Sequence, residues 1–357
     1  MPAGWFFVWP IGFLSLGPVV ASMRHNVKPD ALVRTTCRDY TVCMKKYLPS
    51  PGLPLRIGTR GSPLALAQAQ ETLDRLARAF DLPREAFEIV VITTTGDRIQ
   101  DRPLREIGGK GLFTKEIEQD LLAGRIDIAV HSMKDMPVEQ PAGLILSTYL
   151  PREDVRDALI CPTVNDLDDI ASGAMVGTSS LRRKAQVLLR RPDLQVVEFR
   201  GNVQTRLKKL HAGVAGCTFL AMAGLNRLGM ADIPAMPVAP EKMLPAVAQG
   251  AIGIEQRLDD PRCSALLEAV QHLPTAELLM AERAFLAGLD GSCETPIAGL
   301  ATRQGGHILL RGEILRPDGS ECLNDSQSAP VEDAAALGAA MAAKLRGLAG
   351  PGFFDLP

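Results

Sequence analysis

With 357 residues, 46% apolar and 22% charged, the chain is long enough for two or three domains with sizeable cores. A net charge of −2 excludes a globally basic nucleic-acid binder, so any anion site must be local. Seven cysteines, at positions 37, 43, 161, 217, 263, 293 and 322, show no CxxC or Cys/His spacing. That pattern argues for reduced thiols rather than a disulfide framework, and for no metal site.

Residues 1–52 read as an N-terminal extension, disordered or lying upstream of a natural start at Met44. Seven of the sixteen aromatics precede Pro51, and Gly4 to Ser22 carries no charge. No Lys or Arg comes before that apolar run, and Pro10, Gly12, Gly17 and Pro18 interrupt it, against a signal peptide or a membrane anchor.

Leu55–Gly58 reads as a strand. Ser62 and Pro63 then fit the N-cap and first position of a helix reaching about Phe80. A helix N-terminus beside Arg60 is a candidate anion site. A second strand over 88–93 leads into a polar loop, 97–109, and then Gly108-Gly109-Lys110-Gly111 before a helix around 113–123. The P-loop spacing is absent there. Ile126–Val130 reads as a buried strand that delivers His131, Ser132, Lys134 and Asp135 at its carboxyl end, where ligands sit in open α/β sheets.

Strands follow over 144–150 and 158–160, with a crossover near 150–156. A further strand, 174–177, runs into Thr178-Ser179-Ser180, repeating the Ser62 corner ahead of a helix from Leu181. Between Thr178 and Leu210 nine Lys/Arg face only Asp193 and Glu198. Lys184, Arg190, Arg191, Lys208 and Lys209 fit solvated helix faces. Arg182, Arg183, Arg200 and Arg206 fall at strand ends or helix starts, where guanidinium forks could converge on a polycarboxylate. Phe199 is the only aromatic in that window, too few for base stacking. The strands at 196–199 and 218–222 extend this second unit. Gly250 marks a turn into a strand that crosses back to the first unit. From about Pro274 the pattern becomes helix over 276–289, a Gly291-Ser292-Cys293-Glu294 turn, strands over 297–301 and 308–314, and an Ala-rich helix. Cys293 sits among small residues as an accessible thiol, whereas Cys161 and Cys217 lie in apolar strands.

The motifs TRGSPLALAQ (59–68), GGKGLFTKEIE (108–118), DIAVHSMKDMP (127–137), VGTSSLRR (176–183), RGNVQTRL (200–207), AGLNRLG (223–229), LPAVAQGAIGIE (244–255) and GSCETPIA (291–298) stand in order along the chain. Together they resemble the porphobilinogen deaminase (hydroxymethylbilane synthase) family. Ser292, where many members have a second glycine, and Glu294 depart from its pattern.

The resemblance implies an α/β fold of two periplasmic-binding-protein-like (type II) domains around a cleft, with a smaller α+β C-terminal domain. The implied boundaries are 53–150 with 250–268, then 156–244, then 273–357. It implies a transferase that joins four porphobilinogen units into hydroxymethylbilane, releasing four ammonia, in tetrapyrrole biosynthesis. The growing chain would sit on a dipyrromethane cofactor held by a thioether to Cys293. Asp135 would be catalytic, stabilising the cationic azafulvene left by ammonia. Lys110, Ser132, Lys134, Thr178, Ser180, Arg182, Arg183 and Arg200 would hold cofactor carboxylates, and Arg60, Ser62, Arg206 and Arg227 those of the substrate. A cytoplasmic monomer without nucleic-acid or membrane partners is expected. The alternative is a non-catalytic periplasmic-type anion-binding protein, which leaves the Cys293 turn unexplained.

Overall fold

The computed structural model describes residues 48–98, 111–291 and 295–355. Leu55–Arg60 (β1), Phe87–Ile92 (β2), Ile128–Ser132 (β3), Leu144–Tyr149 (β4) and Ile252–Arg257 (β10) form one sheet, ordered β2–β1–β3–β10–β4. β1 runs parallel to β2 and β3, while β10 is antiparallel to β3 and β4. Asp157–Ile160 (β5), Met175–Gly177 (β6), Gln195–Val197 (β7), Cys217–Ala221 (β8) and Ala235–Pro237 (β9) form a second sheet, ordered β7–β6–β8–β5–β9. Here β6 is parallel to β7 and β8, and β5 is the antiparallel strand. The two sheets thus share one plan. The antiparallel strand of each is the one the chain uses to cross between them.

Alternation along β3 explains how the first lobe packs, because successive side chains point to opposite faces. Ile128 and Val130 join Leu55, Ile57 and Ile254 beneath Pro63–Phe80 (α1). Ala129 joins Ile117, Leu121 and Ile126 beneath Lys115–Leu122 (α2). The Ser62 side chain caps α1 by accepting from the Ala65 N–H, and Pro63 occupies the first turn, as expected. In the second lobe Leu181–Arg190 (α3), Val203–His211 (α4) and Met222–Arg227 (α5) follow β6, β7 and β8. Ser180 and Asn202 cap α3 and α4 in the same way.

After Pro261–Glu268 (α6) and Leu273–Gly288 (α7), the strands Ile297–Gln304 (β11), His307–Leu315 (β12) and Cys322–Pro330 (β13) form an antiparallel meander, followed by Ala334–Ala349 (α8). Phe285, Leu310, Ile314, Met341 and Leu345 fill the core between α7, α8 and this sheet. The fold is therefore α/β in two like lobes plus a smaller α+β unit, in line with expectation.

Three local readings need correction. β13 was not expected: its sequence, CLNDSQSAP, is polar, and it persists as a sheet edge because all nine residues pair with β12. β3 runs two residues further than expected, so His131 and Ser132 belong to the strand and pair with β10. Arg191 and Lys209 are not simply solvated. Arg191 donates to the Leu167, Asp168 and Ile170 carbonyls, and Lys209 donates to the Arg200 carbonyl at 2.9 Å.

Candidate active site

The centre of the site is the single 3-10 turn Met133–Asp135 that follows β3. Met133 and Met136 are buried in the core of the third unit, against Val247, Ala248, Phe285 and Ile297. The Met133 N–H donates to the Ala251 carbonyl at 3.0 Å. Any Cβ at Gly253 would collide with the Met133 sulfur, so glycine is required there for the turn to seat. With both methionines anchored, Lys134 and Asp135 are held between the lobes. Asp135 lines a pocket with Arg60, Ser62, Phe113, His131 and Ser132.

Across from this turn, Arg182 and Arg183 are buried and converge on Asp157. Arg182 Nη1 lies 2.7 Å from Oδ2, and Arg183 Nη2 donates to Oδ1 at 2.7 Å. Arg183 also donates to the Phe219 carbonyl at 2.7 Å, and Arg182 to the Leu244 carbonyl at 3.0 Å. Burial alone would raise the Asp157 pKa, but the two guanidiniums hold it well below the carboxylate range. Gln249 joins the halves: its side chain donates to Asp157 at 3.1 Å and accepts from Lys134 Nζ at 3.3 Å.

Arg206 extends the cluster, interacting electrostatically with Asp135, Arg183 and Arg200. Burial, reinforced by its cationic neighbours, pulls its pKa down to about 10, and its Nε has no hydrogen-bond partner among the described residues. Lys134 is pulled down to about 8, chiefly by desolvation, with Arg183 and Arg182 working against the attraction of Asp135 and Asp157. Among the described residues, five cations (134, 182, 183, 200 and 206) thus face three carboxyl groups, Asp135, Asp157 and Glu313 of β12. Buried like charges are tolerated only where counter-charge arrives. The arrangement fits a ligand carrying several carboxylates.

Other expected residues divide into groups. Ser132 exchanges hydrogen bonds with Gln68 at 2.8 and 3.0 Å. Thr178 and Ser180 serve their own turn: Thr178 Oγ1 accepts from the Ser180 N–H, and Ser180 Oγ from the Arg183 N–H. Arg227 is not brought to the Asp135 cluster. It donates to Glu71 at 3.1 Å and to the Gly250 carbonyl at 3.0 Å, tying α5 to α1. Lys110 and Cys293 lie outside the described residues, as does most of the 97–109 loop.

Several partners were not found from sequence. Asp157 falls just ahead of the strand read over 158–160, with nothing to mark it, and Gln249 lies in the Gly-rich turn before Ile252. Asp97 and Phe113 flank Arg60, the carboxylate by ion pairing and the ring 4.1 Å beneath the guanidinium. Phe113 was visible inside the GLFTKEIE motif, but nothing local says that it meets Arg60.

The fold and site together define a two-lobed α/β protein with a cationic cleft between its lobes. The chain matches the family described as "Porphobilinogen deaminase, dipyromethane cofactor binding domain" over residues 55–265. It also matches "Porphobilinogen deaminase, C-terminal domain" over residues 276–347. A protein of Paracoccus denitrificans (strain Pd 1222) named Porphobilinogen deaminase is 62% identical over 308 residues, covering 86% of this chain and 98% of that protein. The chain belongs to the porphobilinogen deaminase family. Solved structures also share a likeness. The Bordetella pertussis BvgS periplasmic VFT2 domain is 14% identical with a TM-score of 0.37, covering 64% of this chain and 89% of that one. The Ancestral Cationic Amino Acid Solute Binding Protein (AncCDT-1) is 15% identical with a TM-score of 0.38 and the same coverages. At such scores these likenesses carry no weight.

Proposed function

We propose that this protein is a transferase that joins four porphobilinogen molecules head to tail, releasing four ammonia, and frees the chain as hydroxymethylbilane by hydrolysis with one water. The observation that carries this reading is the surplus of cations around Asp135, two of them (Arg182 and Arg183) buried, with Arg206 Nε lacking a hydrogen-bond partner among the described residues. Each pyrrole of such a chain bears an acetate and a propionate, so a growing oligomer brings the missing negative charge. The same surplus suits a dipyrromethane cofactor, attached through Cys293. When bound, that group supplies the carbon to which the first new pyrrole is joined.

Lys134, Arg183, Arg200, Ser132, Thr178, Ser180 and Lys110 would hold its carboxylates. Arg182 and Arg183 share Asp157, which cancels one charge of the pair, while Glu313, its pKa raised by burial, also faces Arg182. Arg60, Ser62 and Arg206 would hold the incoming pyrrole. Arg227, engaged by Glu71 and Gly250, is reassigned from substrate to holding the lobes together. The Asp135 carboxylate faces the reacting ring. As the C–N bond breaks and ammonia departs with the electron pair, positive charge spreads into the pyrrole. A fixed carboxylate near its N–H stabilises that charge without reorganisation. It can also carry the proton that must leave when the new C–C bond forms and the ring regains aromaticity.

The two sheets and the three-stranded meander support the domain boundaries 53–150 with 250–268, 156–244 and 273–357. Among the described residues no helix is long and apolar enough to cross a membrane. Cys161, Cys217, Cys263 and Cys322 are free thiols. The free thiols suit a reducing compartment such as the cytoplasm, and a monomer is the oligomeric state proposed.

The test is porphobilinogen consumption by the purified protein, with ammonia and linear tetrapyrrole quantified together. Four ammonia per tetrapyrrole are expected, and Asp135→Asn should fold yet turn over at least on the order of 10²-fold more slowly. Near-normal turnover in that variant removes Asp135 from the mechanism. A wild-type protein that binds porphobilinogen but releases no ammonia is a binding protein instead.

A further inference from the structure

Arg60 ends β1, and Asp97 lies in the single helical turn Thr95–Arg98 beyond β2. Arg60 Nε donates to both Asp97 oxygens at 3.2 Å, and Nη2 donates to Oδ1 at 2.5 Å. Asp97 is itself fixed. The fully buried Thr94 donates to its Oδ2 from Oγ1 at 2.7 Å and from the backbone N–H at 3.3 Å. Burial would raise the Asp97 pKa, but Arg60 and Thr94 together hold it below its ordinary value.

The segments on either side are joined into one platform. The Gly96 N–H donates to the Leu112 carbonyl at 2.9 Å, and Thr95 donates to Glu116 from N at 2.9 Å and from Oγ1 at 2.5 Å. A Cβ at Gly96 would run into the Phe113 ring, so the close approach of the two segments depends on glycine. Phe113 in turn lies under the Arg60 guanidinium, a stacking arrangement that favours one orientation of its plane.

A guanidinium has five N–H donors in a rigid fork. Asp97 takes the Nε–Nη2 edge, whereas Nη1 makes no hydrogen bond with a described residue. Ser62, lining the same pocket, uses its oxygen to accept from the Ala65 N–H, which leaves its hydroxyl proton to donate. We propose that Asp97 is a positioning residue for substrate: by holding one edge of Arg60 against Phe113, it aims Nη1, beside Ser62, at one carboxylate of the incoming pyrrole. This rests on the reading of Arg60 as a substrate-binding residue. The opposite idea is that Asp97 stands in for the substrate carboxylate and is displaced on binding. The grip of Thr94 on Asp97 speaks against displacement, because those hydrogen bonds would have to break as well.

The two ideas predict opposite signs. The experiment compares Asp97→Asn, Arg60→Lys and the double variant as holoenzymes, each checked for its covalent mass increment and melting temperature. Porphobilinogen is titrated, and the concentration giving half-maximal first addition is read from the ladder of intact masses, alongside KM and kcat. Asp97→Asn should raise that concentration and KM about tenfold, equivalent to ~1.4 kcal/mol, with a much smaller fall in kcat. Arg60→Lys should do the same, and the double variant should be little worse than either, since both break one unit. Thr94→Val, which keeps the carboxylate but frees it, should shift KM in the same direction by less. An unchanged or lowered half-saturation in Asp97→Asn, with Arg60→Lys impaired, overturns the positioning role alone. If Arg60→Lys is also unchanged, the assignment of Arg60 to substrate falls, and this inference falls with it.

Discussion

Glu282→Gln is expected to be among the most damaging conservative changes in the chain. Glu282 is fully buried on α7, where its carboxylate accepts from Arg152 Nη1 at 2.6 Å and Nη2 at 3.0 Å. It also accepts from the backbone N–H of Ala248 at 2.6 Å and of Ala301 at 2.8 Å. Arg152 lies where the chain leaves the first lobe, Ala248 where it returns, and Ala301 on β11. One carboxylate thus ties both crossings to the third unit. Arg152 adds a 2.9 Å hydrogen bond to the Gln249 carbonyl, next to the cation cluster.

Glutamine keeps the shape but replaces one acceptor oxygen with an NH2 that must face a donor. Losing one partner of a buried pair costs about 3–5 kcal/mol. At about 2–4 °C per kcal/mol for a chain of a few hundred residues, Tm should fall by roughly 6–20 °C. Differential scanning fluorimetry on the holoenzyme measures this. The control is Arg303→Ala, which removes a more exposed pair, 2.5 Å to Glu277, and should cost about 0–1 kcal/mol. A Glu282→Gln variant that melts with the control would refute the claim that this carboxylate is the junction.

Two further predictions concern the cation cluster. Lys134 has a folded-state pKa of about 8, below the ordinary 10.5, so between those values the native state binds fewer protons than the unfolded chain. Stability of the cofactor-free protein should therefore rise with pH through that window, while the grip on the cofactor carboxylates weakens above about pH 8 as the ammonium is lost. Lys134→Arg should abolish that alkaline weakening, read as the Tm difference between holoenzyme and cofactor-free protein, and a wild-type difference flat from about pH 7 to 9.5 would contradict the assignment. Arg206→Met should raise Tm by a few degrees, because a pKa drawn from 12.5 to about 10 implies a burial penalty of roughly 3 kcal/mol. It should weaken porphobilinogen binding at least about tenfold, since a charge-assisted contact is worth ~1.5–3 kcal/mol. A destabilised variant with normal binding would be the opposite result.

What could be read from sequence was local chemistry. Ser62 with Pro63, and Ser180 before Leu181, announce helix caps because capping is settled within four residues. The run from Val130 into polar residues read as a strand end, two residues before β3 stops at Ser132, because the sequence could not show that His131 and Ser132 pair with β10. What escaped was set by long-range contacts. Nothing near Asp157 says that Arg182 and Arg183 will close on it from α3, and nothing near Glu71 points to Arg227, 156 residues away. Charge counting placed the excess correctly in the 178–210 stretch. It could not tell that Arg227 would be spent on a lobe contact, or that Arg191 would satisfy backbone carbonyls. β13 was missed because an edge strand with one half-exposed face needs no apolar pattern once its neighbour fixes the register.

The central claim is a covalent primer on Cys293 within a cleft built for carboxylates. Intact mass of the denatured wild-type protein beside Cys293→Ala tests it most directly. The account predicts an increment of two linked pyrroles on the wild type, formed or completed on adding porphobilinogen, and a bare mass for the variant. A wild-type mass that stays bare after porphobilinogen, or an increment that survives in Cys293→Ala, would contradict it.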